Sequence, residues 1–283
     1  MEQSILNPAK FTITDLSIDT RFADQYNNGT ADFTIRLPDT YKNIMRLRLS
    51  SVEVPLVESV FSARRRNISF VVGGVTVTIP TGNYDGTSLA AAVQVALQSV
   101  SATATCSYAN VTNRFVITAD PSLEIILQDP IVTAVALPKR FWGLGYYMGF
   151  RTAVLSGSAS YTGTQPPQLG PSPYYLMQVS CPDQVETTVH ATGAQSWIPA
   201  LAKIVLHPLG GVYAMQYDDG TNLVRKEIVF AAPSNVGQMR IRLVDPYGSL
   251  VDIGDVDWSM TFEMTAVMSS CKYEDLAGAF GRC

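Results

Sequence analysis

Over long stretches of this chain, apolar and polar residues alternate one by one, the period-two signature of strands with one face in a core and one in water. In residues 257–268, Trp258, Met260, Phe262, Met264, Ala266 and Met268 share one face, while Asp257, Ser259, Thr261, Glu263 and Thr265 share the other. Phe33, Ile35 and Leu37 alternate with Asp32, Thr34 and Arg36 in the same way, as do Met239, Ile241 and Leu243 with Arg240 and Arg242. Residues 44–55 begin with Met45, Leu47 and Leu49 inward and Arg46 and Arg48 outward, but Val52 and Val54 follow on the opposite parity. A bulge or corner near Ser50 and Ser51 would return those valines to the core. Outside residues 61–150 the pattern predicts eight strands: 11–19, 31–37, 44–55, 174–180, 202–206, 223–231, 239–244 and 257–268. Eight is the strand count of a jelly roll.

Residues 61–150 follow a different rhythm. Phe70 and Val72 lead through Gly73-Gly74 into Val75, Val77 and Ile79, and two glycines between apolar alternations supply the positive φ angles of a tight hairpin. A helix is predicted over Ser88–Val100, with Leu89, Val93, Leu97 and Val100 along one face and Thr87 or Ser88 as its cap. A second hairpin is expected from 103–108 and 114–118 around Asn110 to Asn113. This region is either an α/β insertion on a β scaffold or a small first domain. The expected organisation is one antiparallel jelly-roll β-sandwich from 1–60 and 151–268, an insertion at 61–150 and a C-terminal tail at 269–283. Residues 157–173, rich in Gly, Ser, Thr and Pro, predict an extended surface loop, and the tail carries a short helix pattern near Tyr273 to Phe280.

Composition narrows the function classes. Charged residues are only 16% of the 283 and apolar ones 47%, which excludes general disorder and leaves the surface short of charge. A protein that meets neighbours over much of its exterior has this balance, because charge is depleted from interface cores. The formal net charge of -4 gives no bulk attraction to nucleic acid or anionic lipid. Met1 to Lys10 lacks the pattern of a secretory signal, and no apolar run reaches the ~18 residues of a membrane helix. Cys106, Cys181, Cys271 and Cys283 are scattered, so neither a disulfide framework nor a zinc site is indicated, and reduced thiols in a cytosolic compartment are expected. The sequons at Asn28, Asn67 and Asn110 fit turn positions better than glycan attachment.

Candidate chemistry is sparse. His190 and His207 have no partner at ligand spacing. Gly143, Gly145 and Gly149 are G-x-G-x-x-x-G without a β-α-β context, which suits a sharp turn beneath Trp142, Tyr146, Tyr147 and Phe150 rather than a phosphate loop. Asp245, Asp252, Asp255 and Asp257 crowd one segment, but without EF-hand spacing they suit turns better than calcium. Arg64-Arg65-Arg66 is a lone basic triplet. No catalytic, cofactor or metal residue is assigned, and the chain is expected not to be an enzyme.

Four groups of segments stand out together: Ala31-Asp-Phe-Thr-Ile-Arg-Leu-Pro38 with Tyr41-Lys-Asn-Ile44 and Leu47-Arg-Leu-Ser-Ser-Val-Glu-Val-Pro55; Ile79-Pro-Thr-Gly-Asn-Tyr84 before a Leu/Ala helix; Leu144 to Phe150; and Arg240-Ile-Arg-Leu-Val-Asp-Pro-Tyr-Gly-Ser-Leu-Val-Asp252 leading into Trp258 to Glu263. In combination they resemble the jelly-roll capsid proteins, penton and minor, of the nucleocytoplasmic large DNA viruses, including the chlorella viruses. The first group looks like the first strand pair of those proteins, the second is similar to a module of virion proteins, the third resembles a later turn, and the fourth is the most telling match. The resemblance spans most of 10–268 and implies assembly rather than catalysis. It implies a penton at fivefold vertices or a minor protein cementing major capsomers, located in the virion capsid and assembled in the host cytoplasm. The implied partners are other capsid proteins, including the major capsid protein, and further copies of the chain, a pentamer for a penton. Nucleic acid and direct membrane insertion are not expected. The alternative is a carbohydrate- or receptor-binding β-sandwich module of a virion, for which Trp142, Tyr146, Tyr147, Tyr174 and Tyr175 offer stacking rings.

Overall fold

The structure, a computed structural model, describes residues 11–128, 143–181, 189–193, 196–206, 215–218 and 226–268. Two compact units are present, one from residues 1–58 with 172–283 and one from 59–171. The first begins with β1 (Phe11–Asp19), β2 (Gln25–Tyr26) and β3 (Asp32–Pro55). The second contains β4 (Ser69–Val72), β5 (Val75–Thr78), α1 (Gly86–Gln98), β6 (Thr105–Ala109), β7 (Arg114–Thr118), β8 (Ile125–Ile126), α2 (Gly143–Tyr147), β9 (Val154–Leu155) and β10 (Ser160–Thr162). The first then resumes with β11 (Tyr174–Ser180), β12 (Val189–Gly193), β13 (Ser196–Pro199), β14 (Ala202–Val205), β15 (Met215–Asp218), β16 (Glu227–Val244) and β17 (Ser259–Val267).

In the first unit the expected antiparallel jelly-roll class takes the form of one curled, eight-stranded sheet. Its order is β1-β17-β3-β16-β11-β14, with β2 and β15 also paired to β3. The sheet curls because its apolar face has to leave water. Ile18, Phe33, Leu47, Tyr175, Ile204, Ile241 and Phe262, drawn from both edges and the middle, belong to one buried cluster closed by Val251, Ile253 and Trp258. The alternation predicted for 257–268 is realised as far as Met264, with Trp258, Met260, Phe262 and Met264 all buried, while Ala266 is only partly buried.

The segmentation differs from expectation in two places. Segments 31–37 and 44–55 run on as the single strand β3, and 239–244 joins the described part of 223–231 as β16. The polar stretches between them stay paired because register shifts along β16, between Val229 and Gln238, absorb the bend without breaking the ladder.

The corner expected near Ser50 is present as a bulge: Thr261 pairs with Ser51 and Phe262 with Leu49, which leaves Ser50 as the extra residue. Leu47, Leu49, Val52 and Val54 therefore all reach the core. Met45, expected to point inward, does not. Thr265 pairs with Arg46 and Ala266 with Ile44, so Met45 is itself the extra residue of a second shift and Ile44 takes the buried place.

The second unit packs α1 with a four-stranded sheet, β5-β4-β8-β9, and a three-stranded one, β10-β7-β6. The Gly73-Gly74 hairpin is as expected, both glycines having positive φ. The helix starts two residues before its predicted Ser88 and ends at Gln98. Asp85 is the cap: its Oδ1 accepts from Ser88 N at 2.7 Å while Ser88 Oγ accepts from Asp85 N at 3.0 Å. A carboxylate outcompetes the predicted Thr87 or Ser88 because Ser88, three residues on, completes a reciprocal box. Leu89, Val93 and Leu97 are buried as predicted, and Val100 packs half-buried just beyond the helix.

Residues 151–171, expected in the sandwich, lie in this second unit. β9 pairs with β8 just before the predicted loop, and β10, inside that loop, pairs with β7. Tyr161 of β10 packs against the second core, and that apolar anchor holds the segment there. The predicted tail helix lies outside the described residues.

Candidate functional site

Of the four clustered aspartates, Asp245 and Asp252 are tied into the backbone around them, while Asp255 and Asp257 meet the chain before β3. Asp245 Oδ1 accepts from Tyr247 N at 2.8 Å and from Ser249 N at 2.9 Å, which closes the Asp-Pro-Tyr-Gly turn. Asp252 accepts from Gly254 N, and Asp257 Oδ1 accepts from Thr20 Oγ1 at 3.1 Å. Asp255 sits at positive φ with its carboxylate so close over Gly29 that a side chain there would overlap it. These residues fasten the 245–257 segment to the loop before β3, where Trp258 Nε1 donates to Thr30 O at 2.8 Å. Among the described residues, no three of His, Cys, Asp or Glu gather to hold a metal ion.

The glycines at 143–149 serve close packing. Gly143 opens α2 at positive φ, a Cβ on Gly145 would lie 2.7 Å from Leu127 Cβ, and one on Gly149 would overlap Gln165 O. Leu144, Tyr147, Met148 and Phe150 are buried around them. Beside this turn, Gln128, Gly145, Tyr146, Phe150 and Arg151 help to line a cavity of about 210 Å³. Arg151 Nη1 donates to Tyr146 O and Phe150 O, both at 3.0 Å, and its guanidinium lies 4.5 Å from the Tyr146 ring centroid.

The remaining candidates separate. Arg64 and Arg66 are exposed in a turn closed by Arg66 N to Ala63 O, and that turn is built on Asn67. Asn67 is fully buried, accepting from Ser62 N at 2.9 Å and donating to Val60 O at 2.7 Å, so both ends of its amide are engaged. Asn28 and Asn110 are exposed. Cys106 and Cys181 are free thiols, both pushed up to about 12 by burial. Of the proposed stacking rings, Tyr175 is buried with its hydroxyl donating to Glu58 Oε2 at 3.0 Å, and Tyr174 lies beneath Lys203 Nζ at 4.1 Å. Tyr147 is buried too, so Tyr146 is the ring of the set that faces a cavity. Trp142, His207, Cys271 and Cys283 fall outside the described residues, and His190 is placed only by its backbone, in β12.

Sequence reasoning missed an ion-pair system on the polar face of the main sheet. Arg240 holds the buried Asp32 with two hydrogen bonds, Arg242 Nε lies 3.5 Å from the same carboxylate, and Arg242 Nη1 donates to Gln178 Oε1 at 3.0 Å. Gln178 Nε2 passes the chain on to Pro199 O at 2.8 Å. Further along β3, Arg46 lies between Glu263 at 2.9 Å and Glu227 at 3.7 Å, one from each neighbouring strand. The outward parity of Asp32, Arg46, Arg240 and Arg242 was visible in the alternation, but the strand order that brings them together was not. This arrangement fixes strand register; it offers no nucleophile or open ligand position.

No family model matches the chain, and no curated protein matches it. Among solved structures it is similar to the selenomethionine-labelled mavirus penton protein, at 10% identity with a TM-score of 0.49, over 91% of this chain and 100% of that one.

Proposed function

We propose that this chain is a structural subunit of the capsid of a large icosahedral DNA virus, either the penton at fivefold vertices or a minor protein cementing major capsomers. The observation that carries the reading is how the segments resembling such capsid proteins are used. The 31–38 and 240–244 segments pair directly, with Phe33 opposite Ile241 and Asp32 opposite Arg242, and 258–263 pairs with 47–55 through Met260 opposite Val52. The resemblance thus falls on the strands at the centre of the sheet, where fold-defining residues belong. The chlorella-type placement rests on the sequence resemblance alone. Partners in this reading are the major capsid protein and further copies of the chain, the location is the virion, and the chain carries out no catalysis.

Light scattering of the purified chain, followed by electron microscopy, tests this. A closed ring of five supports the penton, and a monomer that enters shells only with a major capsid protein supports the cementing role. A chain that joins no shell in either form would sink both.

One observation favours a second reading, a glycan-binding virion module: the cavity beside Tyr146 and Arg151 combines a ring face with a cation. Saturable binding on a glycan array that is lost in Tyr146→Ala would support it, and no binding at millimolar glycan would remove it.

A further inference from the structure

The main sheet ends in two edges, β1 and β14, that pair with no third strand among the described residues. β1 is nine residues long and in unbroken register with β17, from Phe11 opposite Val267 to Asp19 opposite Ser259. Among the usual protections of an edge it carries a charge, Asp15, but no proline, no lysine and no bulge. Ile13, on its polar side, is 62% exposed. Asp15, two residues on along the same side, has no ion-pair partner among the described residues, and neither does Lys203 on β14.

We propose that the two edges are complementary and that β14 of a second copy of this chain adds to β1. The path from β1 to β14 takes five antiparallel steps, so the two edge strands run in opposite directions. A second copy related by rotation about an axis along the strands therefore presents β14 antiparallel to β1, and the ladder continues. Side-chain parity selects the register. Thr14 and Leu16 lie opposite core residues Met264 and Phe262, and Ala202 and Ile204 lie opposite core residues Met177 and Tyr175. Setting Lys203 opposite Asp15 places Ile204 opposite Thr14 and Ala202 opposite Leu16 on the core side. On the other side, Val205 falls opposite the exposed Ile13. One register thus gives the unpaired acid a base, the exposed isoleucine an apolar neighbour, and both edges backbone partners. The contact is heterologous, using two different edges, so it closes into a ring or propagates. The proposal rests on the reading of the chain as an assembling shell subunit and names a partner for it.

The experiment is a charge swap read by sedimentation and light scattering over a concentration series, with thermal melts to show that each variant folds. Asp15→Lys and Lys203→Asp each weaken self-association by about tenfold or more, since each sets like charges against one another. The double variant, or a mixture of the two singles, restores it. In the wild-type chain, amide exchange in Phe11–Asp19 slows as concentration rises. Association indifferent to both single reversals, or not recovered in the double variant, overturns the edge pairing while leaving assembly by another surface. A wild-type chain that stays monomeric at every concentration also overturns it, and co-assembly with a major capsid protein then judges the shell reading separately.

Discussion

Arg240 and Asp32 meet across β3 and β16 through two parallel hydrogen bonds, Nε to Oδ1 at 2.8 Å and Nη2 to Oδ2 at 2.7 Å. The fork-to-carboxylate geometry admits one relative position of the two strands, and it reinforces the register that places Phe33 opposite Ile241. Burial by itself would raise the Asp32 carboxyl. The Arg240 bonds and charge, helped by Asn27 and Arg242, outweigh it and hold the group below its ordinary value.

A pH dependence follows. Because the folded-state value is depressed, the stabilisation is fully present above the unfolded aspartate value of about 3.9 and is lost as pH falls through the folded value. Asp32→Asn is expected to cost about 1–3 kcal/mol at pH 7, as a charged hydrogen-bond pair is removed. Urea denaturation of both proteins from pH 7 down to pH 2 checks it, and the gap between them should narrow only at the acid end. A gap independent of pH would mean that the carboxylate charge contributes nothing.

Deleting Ser50 removes the bulge but keeps the β17 register: Leu49 stays opposite Phe262 and Ser51 opposite Thr261, with Val52 and Val54 on the core face and Glu53 on the polar face, so the deletion should give folded, soluble protein. Ser50→Ala keeps the bulge and should stay within about 0.5 kcal/mol of wild type. Thermal melts of both check this, and a deletion that leaves only insoluble protein would show that the bend at the bulge is required in addition to side-chain parity.

Asn67→Ala should destabilise the second unit by about 2 kcal/mol, because Ser62 N and Val60 O are left buried without their partners. Asn28→Ala, at an exposed sequon, serves as the control. Thermal melts separate the two, and equal midpoints would argue that water replaces the Asn67 amide.

Cys106 and Cys181, both pushed up to about 12, hold only about one thiolate in ten thousand at pH 8. A thiol reagent applied to the native protein should leave both unmodified, while in denaturant both react. Peptide mass mapping resolves them from Cys271 and Cys283. Rapid native labelling of Cys106 would show that the second core opens readily.

Alternation was strong enough in the sequence to mark the central strands, because a residue facing a core has to be apolar whatever the strand beside it. The parity break after Leu49 located the Ser50 bulge for the same reason: Val52 and Val54 could be buried only if one residue was skipped. Helix α1 was legible from Leu89, Val93 and Leu97, though its start depended on Asp85 and Ser88 bonding reciprocally. The chemistry that was sought, in the aspartates and glycines, dissolved into turns and close packing, since short-range backbone bonding uses the same residues as binding sites do.

What tertiary structure alone decided is which segments meet. Polar stretches such as Pro38 to Asn43 carry no alternation, so nothing local in them distinguishes a loop from a strand held by its neighbours, and β3 and β16 are continuous only because each supports the other. The pairing of Asp32 with Arg240 spans 208 residues, and Tyr175 reaches Glu58 across 117. Side-chain parity belongs to a single strand and is written in its sequence. Strand order is a property of the whole sheet, set by the joint burial of faces that lie far apart in the chain.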